Sequence, residues 1–245
     1  MTDNKLIEIT VPVLNEEKTL AGNIEKILAY INSELAYLHT IHVVIADNGS
    51  TDQTQKIAES LQEIHGQVRY IRSNERGVGR ALKASWESSQ ADIVGYMDLD
   101  LATDLQHIRP ALTQLTEDEA DVVNGSRLVK GAKVKGRSLV RGLTSRVFNH
   151  LVKIYFRTEF TDGMCGFKFL QRRHIATLRE KGAVSDGWFF ATELLVVAEH
   201  LKLRVNDIAV EWTDDPNSKV KIARLTMEYL KAMKELKFFL ARSKL

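Results

Sequence analysis

Two hydrophobic periods alternate along this chain. Short apolar runs bounded by turn residues predict strands over residues 6–13, 41–47, 68–72, 93–97, 121–124 and 203–210. Between and after them, apolar positions recur at helical spacing over 18–38, 52–64, 78–88, 105–115, 144–156, 188–200 and 223–242. Strands this continuously apolar, alternating with helices, predict an α/β fold: a mostly parallel central sheet with helices on both faces. In such sheets ligands gather outside the carboxyl ends of the strands.

Those ends are polar in a consistent way. The first strand runs into Pro12-Val13-Leu14-Asn15-Glu16, the second into Asp47-Asn48-Gly49-Ser50-Thr51-Asp52, and the third into Arg76-Gly77-Val78-Gly79-Arg80. Each has a plain structural explanation, since Ser50, Thr51 or Asp52 can cap a helix and the glycines can make turns. Each could equally read a base, a ribose or a pyrophosphate, and their succession in chain order favours a site. The fourth strand, Ile93-Val94-Gly95-Tyr96-Met97, stops in Asp98-Leu99-Asp100-Leu101-Ala102-Thr103-Asp104. One residue apart on a strand, Asp98 and Asp100 point to the same face and can share one hard divalent cation, Mg²⁺ or Mn²⁺. That suits an enzyme whose leaving group is a nucleoside diphosphate.

Charge sharpens this picture. The net charge of +2 hides a run from Arg127 to Thr158 with nine Lys or Arg and no acid, and a second basic block from Lys219 onward. Blocks of this kind suit a phosphate or an acidic lipid surface. A chain of 245 residues with 44% hydrophobic content is ordinary for a globular protein. Its single cysteine, Cys165, cannot form an internal disulfide and fits a reducing compartment. No apolar run approaches the ~20 residues of a spanning helix, so a cytoplasmic chain is expected. The histidines have no metal-ligand spacing, and the first strand lacks the G-x-G-x-x-G turn of a dinucleotide-binding dehydrogenase.

With these residues in view, the chain resembles the family 2 inverting nucleotide-sugar glycosyltransferases, which have a GT-A (Rossmann-like) fold. Within them it is most similar to the dolichyl- and polyprenyl-phosphate sugar transferases, dolichyl-phosphate β-glucosyltransferase and dolichyl-phosphate mannose synthase among them. The likeness also rests on Gly125-Ser126-Arg127, Asp162-Gly163-Met164-Cys165-Gly166-Phe167-Lys168, Trp188-Phe189-Phe190-Ala191-Thr192-Glu193-Leu194-Leu195, Glu211-Trp212 and Ser218-Lys219-Val220.

The resemblance implies inverting transfer of a hexose, glucose from UDP-glucose first, to polyprenyl phosphate. It implies nucleotide binding by Pro12, Asn15, Glu16, Asp47, Gly77, Arg80 and Asp98, and metal binding by Asp98 and Asp100. Arg127 and Arg141, with Arg137 and Arg146 behind them, would hold the acceptor phosphate. Asp162, Cys165, Gly166, Lys168 and Trp188 would shape the sugar pocket, and the catalytic set would be Asp98, Asp100, Arg127 and Glu193. Residues 1–215 read as the catalytic domain, with an acceptor loop and interfacial helix near 127–158, and 216–245 as a basic amphipathic extension. A nucleophile that is already an anionic phosphate needs positioning by arginines more than it needs a base.

Two departures stand out. Related sequences carry Asp where this chain has Ala191, which puts full activity in question. Several relatives also carry membrane spans or a GtrA-like membrane partner. Here the terminal stripe Leu225, Tyr229, Leu230, Met233, Leu236, Phe239 and Leu240, flanked by lysines, could lie on a membrane surface or pack on the core. Peripheral attachment to the cytoplasmic face is the expectation. A family 2 enzyme with a soluble sugar, protein or cell-wall acceptor is the alternative, and a nonenzymatic nucleotide or nucleic-acid binding module the second. The paired carboxylates argue against a nucleic-acid partner.

Overall fold

A computed structural model describes residues 4–214 and 222–242. The Ser218-Lys219-Val220 segment and the boundary expected at 215–216 lie outside the described residues. The chain runs β1 (Leu6–Val13), α1 (Leu20–Glu34), β2 (Thr40–Asp47), α2 (Thr54–Ile64), β3 (Val68–Arg72), α3 (Val78–Glu87), β4 (Ile93–Met97), α4 (Ile108–Thr116) and β5 (Val122–Ser126). It continues through β6 (Lys133–Lys135), α5 (Leu139–Phe156), β7 (Phe167–Gln171), α6 (Ile175–Glu180), α7 (Phe190–His200), β8 (Val205–Ala209), β9 (Glu211–Thr213) and α8 (Ile222–Arg242).

Seven strands form the central sheet in the order β3-β2-β1-β4-β7-β5-β8, and β6 and β9 make a separate parallel pair. All neighbours in the large sheet are parallel except β7, which runs antiparallel to both β4 and β5. The sheet is mostly parallel, as the alternation of periods predicts. One apolar layer packs α1, α2 and α4 on one face, and a second packs α3, α5, α6, α7 and α8 on the other. Burial on both faces is why β4 carries no exposed residue at all.

Besides the short elements β6, β9 and α6, which no sequence period announces, three elements depart from the sequence expectation. β7 went unpredicted because it puts a lysine, Lys168, in a fully buried strand position. α5 begins at Leu139, five residues before the expected 144, because the Ser138 side chain accepts from the Arg141 N–H and caps it. Much of the α8 stripe is core: Tyr229, Met233, Leu236 and Leu240 are buried, with Tyr229 between Phe148 of α5 and Phe189, while Leu230 is exposed. Among the described residues no helix is long and apolar enough to cross a membrane.

β7 sits against β4 because Gly95 faces Phe169, whose ring occupies the place of a side chain there. A Cβ at Gly95 would stand 2.6 Å from Phe169 Cε1. The Gly95→Ala variant should therefore lose about 1–3 kcal/mol, the usual cost of overpacking. Urea unfolding followed by circular dichroism would show it as a lowered midpoint with an unchanged slope, and an unaltered midpoint would contradict this packing.

Candidate active site

The carboxyl ends of β1 and β2 are laced together by their own side chains. Asn15, at φ +56, donates its N–H to Ser50 Oγ and accepts from Thr51 N, while Glu16 N donates to Thr54 Oγ1. Glu16 keeps one carboxylate oxygen on Thr19 Oγ1 at 2.6 Å. Asp47 is wholly buried, and its two oxygens accept from Ser50 N and Tyr70 Oη. Pro12 lies beside Ala46 in the β1–β2 register. Across this turn, Gly77 N donates to Asn48 Oδ1 at 2.7 Å.

The glycines after β3 serve a close backbone approach from within the chain. Gly77, at φ +149, and Gly79 face the backbone of Ser185–Gly187, and Arg80 N donates to Asp186 O. A Cβ on Gly79 would lie 2.8 Å from Gly187 O and 2.6 Å from Phe190 Cβ. Arg80 pairs with Glu75 and Asp186, and Lys83 with Asp186. The buried Glu193 carboxylate holds this same 184–187 loop, accepting from Val184 N, Ser185 N and Ser185 Oγ. Burial pushes the Glu193 pKa up. Trp188 stands half exposed at the end of the loop, and Ala191 is buried in the first turn of α7.

Beyond β4, Asp98 and Asp100 take different positions. Asp98 donates its N–H to Gly166 O, and a Cβ on Gly166 would overlap the Asp98 carboxylate, so only glycine leaves it room. Burial, and then the Asp100 charge, push the Asp98 pKa up to about 7, with Arg127 and Lys168 opposing. Asp100 is exposed and accepts from Ala102 N. These are hard oxygen donors of the kind a divalent cation takes. Among the described residues no group of three or more His, Cys, Asp or Glu could hold a metal. The pair fits an ion shared with a diphosphate and water.

Opposite lies the basic side. Arg127 makes a bidentate pair with Asp162 (Nε–Oδ2 2.7 Å, Nη2–Oδ1 3.0 Å), and both are buried. Its guanidinium lies 4.6 Å from the centre of the Trp212 ring. Arg141 pairs with Asp214 at 3.0 Å, and Arg137 donates to Arg141 O. Arg137 Nε is buried with no hydrogen-bond partner among the described residues, and burial followed by the Arg127 charge lowers the Arg137 pKa. Arg146 is exposed further along α5 with no ion pair among the described residues. Lys168 donates to Cys165 O at 2.6 Å, and burial drives its pKa down and that of the Cys165 thiol up to about 12. The structure thus gathers Arg127, Arg137 and Arg141 beside Asp162, Cys165, Gly166 and Lys168.

Asp98 thus lies within reach of the Arg127 and Lys168 charges, so the acid pair stands beside the arginine cluster. A family model described as glycosyl transferase family 2 matches residues 8–179. The chain belongs to that family. It is 32% identical to glycosyltransferase AglD of Haloferax volcanii, over 89% of this chain and 35% of that protein. Dolichyl-phosphate β-glucosyltransferases of Drosophila melanogaster and Homo sapiens are 31% and 30% identical, over 87% and 88% of this chain. The chain spans about a third of AglD's length and 69–70% of theirs.

Among solved structures, glucosyl-3-phosphoglycerate synthase from Mycobacterium tuberculosis, in complex with Mn²⁺, UDP and glucosyl-3-phosphoglycerate, superposes with a TM-score of 0.69. That match covers 97% of this chain and 80% of that one at 16% identity. The same synthase with Mg²⁺ and UDP gives 0.67 at 17% identity. These likenesses show the GT-A fold. Beside the arginines stand two residues to which the sequence assigned no role, Trp212 against Arg127 and Asp214 paired with Arg141, whose partners lie far away in the chain and follow no local pattern.

The raised Asp98 pKa has a consequence for stability. Between its ordinary value of 3.8 and about 7, the native protein binds more protons than the unfolded chain, so this group makes stability fall as pH rises. The Asp98→Asn variant should melt roughly 2–4 °C above wild type at pH 8 without metal, the shift given by ~1 kcal/mol in a chain of this size. The gap should close by about pH 4, and Mn²⁺ should no longer stabilise the variant. Scanning calorimetry at both pH values decides it; a lower melting temperature at pH 8 would refute the charge strain.

Proposed function

We propose that this enzyme transfers a hexose, glucose from UDP-glucose first, to a polyprenyl phosphate, while resting on a membrane surface. The observation that carries the reading is the arginine cluster. Among the described residues, Arg137 holds a buried guanidinium N–H with no acceptor, beside a second buried cation, Arg127. An unpaired buried donor of this kind is costly unless an anion arrives to accept from it.

The chemistry follows from what the nearby groups already do. Asp162 is committed to Arg127, Glu193 to the 184–187 loop, Asp186 to Arg80 and Lys83, and position 191 carries no acid. That favours a nucleophile that arrives ionised. A phosphate oxygen, oriented by Arg127, Arg137 and Arg141, would attack the anomeric carbon and need give up no proton at neutral pH. A divalent cation at Asp98 and Asp100 would supply charge neutralisation to the departing diphosphate. Asn15, Glu16 and Asp47 would line the nucleotide side of the cleft.

The membrane side is supported by α5. Leu139, Val140, Leu143, Val147, Leu151 and Ile154 are all exposed on it, Leu139 by 92%. They recur near helical spacing on the helix that begins at the arginine cluster, and Met227, Leu230 and Phe238 of α8 are exposed as well. An apolar stripe beside Arg141, Arg146 and Lys153 is suited to an anionic lipid interface. The buried thiol of Cys165 fits the reducing, cytoplasmic face.

Labelled glucose should pass from UDP-glucose to short-chain polyprenyl phosphate with Mn²⁺ or Mg²⁺ and stop with EDTA. Asp100→Ala should cut the rate about 100-fold or more, and Arg137→Ala should raise the acceptor KM roughly tenfold, with Arg146→Ala near wild type. Label appearing only in a soluble acceptor such as a phosphorylated glycerate would overturn the lipid reading. Sedimentation with vesicles containing anionic phospholipid tests the surface: Leu143→Glu with Val147→Glu should weaken binding at least about tenfold, and undiminished binding would place the contact elsewhere.

A further inference from the structure

We infer that Trp212 is a positioning residue that couples the donor's metal loop to the acceptor's arginine cluster, so that loading one site strengthens binding at the other. The inference rests on the donor and acceptor sites proposed above and concerns how they communicate.

β9 is only three residues long, yet it is held by both sides of the cleft. Toward the donor, Asp104 N donates to Glu211 O at 3.1 Å and Thr213 N to Ala102 O at 2.8 Å, and Thr103 forms an isolated antiparallel bridge with Trp212. Glu211 N also donates to His107 Nε2, just beyond the metal loop. The loop that carries Asp98 and Asp100 is therefore hydrogen-bonded along β9. Toward the acceptor, the Trp212 ring covers the Arg127 guanidinium and belongs to the same apolar cluster as Leu99 and Ala102. Two residues on, Asp214 holds Arg141. β6 pins the strand from behind, with Lys133 paired to Glu211.

The physical consequence is that the two halves of the cleft share one strand, so a shift in either is felt by the other. Binding at Asp98 and Asp100 fixes residues 98–104, which fixes β9, which sets the plane against which Arg127 stacks and the position of the Asp214 carboxylate on Arg141. A ligand that has already ordered this strand spares the second ligand that cost, which is positive coupling. A second connection exists through Gly166 O and Asp98 N, along the segment from Asp162. The Trp212 route differs in depending on one side chain's aromatic face.

A cation over a desolvated indole is worth about tenfold or more in affinity. The flat ring matters, so Trp212→Phe should keep most of the effect and Trp212→Leu should lose it.

The test is a linkage cycle by titration calorimetry on the full chain. The affinity for a short-chain polyprenyl phosphate is measured with and without UDP and Mn²⁺, and UDP·Mn²⁺ affinity with and without the acceptor. For wild type the two ratios should agree and exceed about fivefold. In Trp212→Leu they should fall toward one while UDP·Mn²⁺ affinity alone stays within about threefold, which also shows that the variant is folded. Trp212→Phe should retain more than half of the coupling free energy. A residue that merely supports the fold would weaken both binary affinities and leave their ratio intact. A wild-type ratio near one, or an undiminished ratio in the Leu variant, overturns the inference and leaves the proposed function standing. Wild type that binds no phosphate acceptor under either condition fails the proposed function itself, and the inference with it.

Discussion

The interior of the cleft depends on one buried ion pair. Asp162 has no exposed surface and accepts from Arg127 N, Nε and Nη2, from Asn149 Nδ2 and from Met164 N. Burial pushes its pKa up, but Arg127 and Lys168 outweigh that and hold it below the usual carboxylate range. Through this one carboxylate the end of β5, the middle of α5 and the approach to β7 meet. A buried pair is a poor source of net stability, since desolvation opposes the attraction. Its contribution is geometric: removing either partner would strand a charge, so the three segments have a single arrangement in which all are satisfied.

That arrangement explains the antiparallel strand in the middle of the sheet. β7 separates the β1–β4 half, whose strand ends carry the nucleotide-side residues, from β5 and β8. Running backwards, it starts where β4 stops, with Met97 opposite Phe167. Gly166 is thereby set under Asp98, and Lys168 next to Tyr96 and Cys165. Acid and base reach the same cleft from opposite halves of the sheet, and the fully buried Lys168 offsets part of the carboxylate field between them.

Much of this was legible in the chain because it follows local rules. Period and turn chemistry placed β1, β3 and β4 at their observed bounds. The acid-free run announced the arginine cluster, although it could not say that Arg137 and Arg141 converge while Arg146 does not. What escaped was set by distant contacts. β7 has a lysine in its core face that only tertiary charges make tolerable, and β6 and β9 are three residues each, too short to show a period. Gly77 and Gly79 left a turn and a phosphate approach equally open from sequence, and the backbone they admit is that of 185–187.

The two amphipathic helices show the limit most clearly. From sequence, the α8 stripe and the α5 stripe are alike: apolar positions at helical spacing beside lysines and arginines. The structure gives them opposite fates, since Tyr229, Met233, Leu236 and Leu240 of α8 complete the core, and Leu143, Val147 and Leu151 of α5 face outward. α5 is held by its other face, where Phe148, Val152 and Phe156 pack inward and Asn149 reaches Asp162. The ion pair that orders the cleft therefore also fixes which side of α5 remains outside. Periodicity can say that a helix has an apolar face; only the buried partner of its opposite face decides where that face is turned.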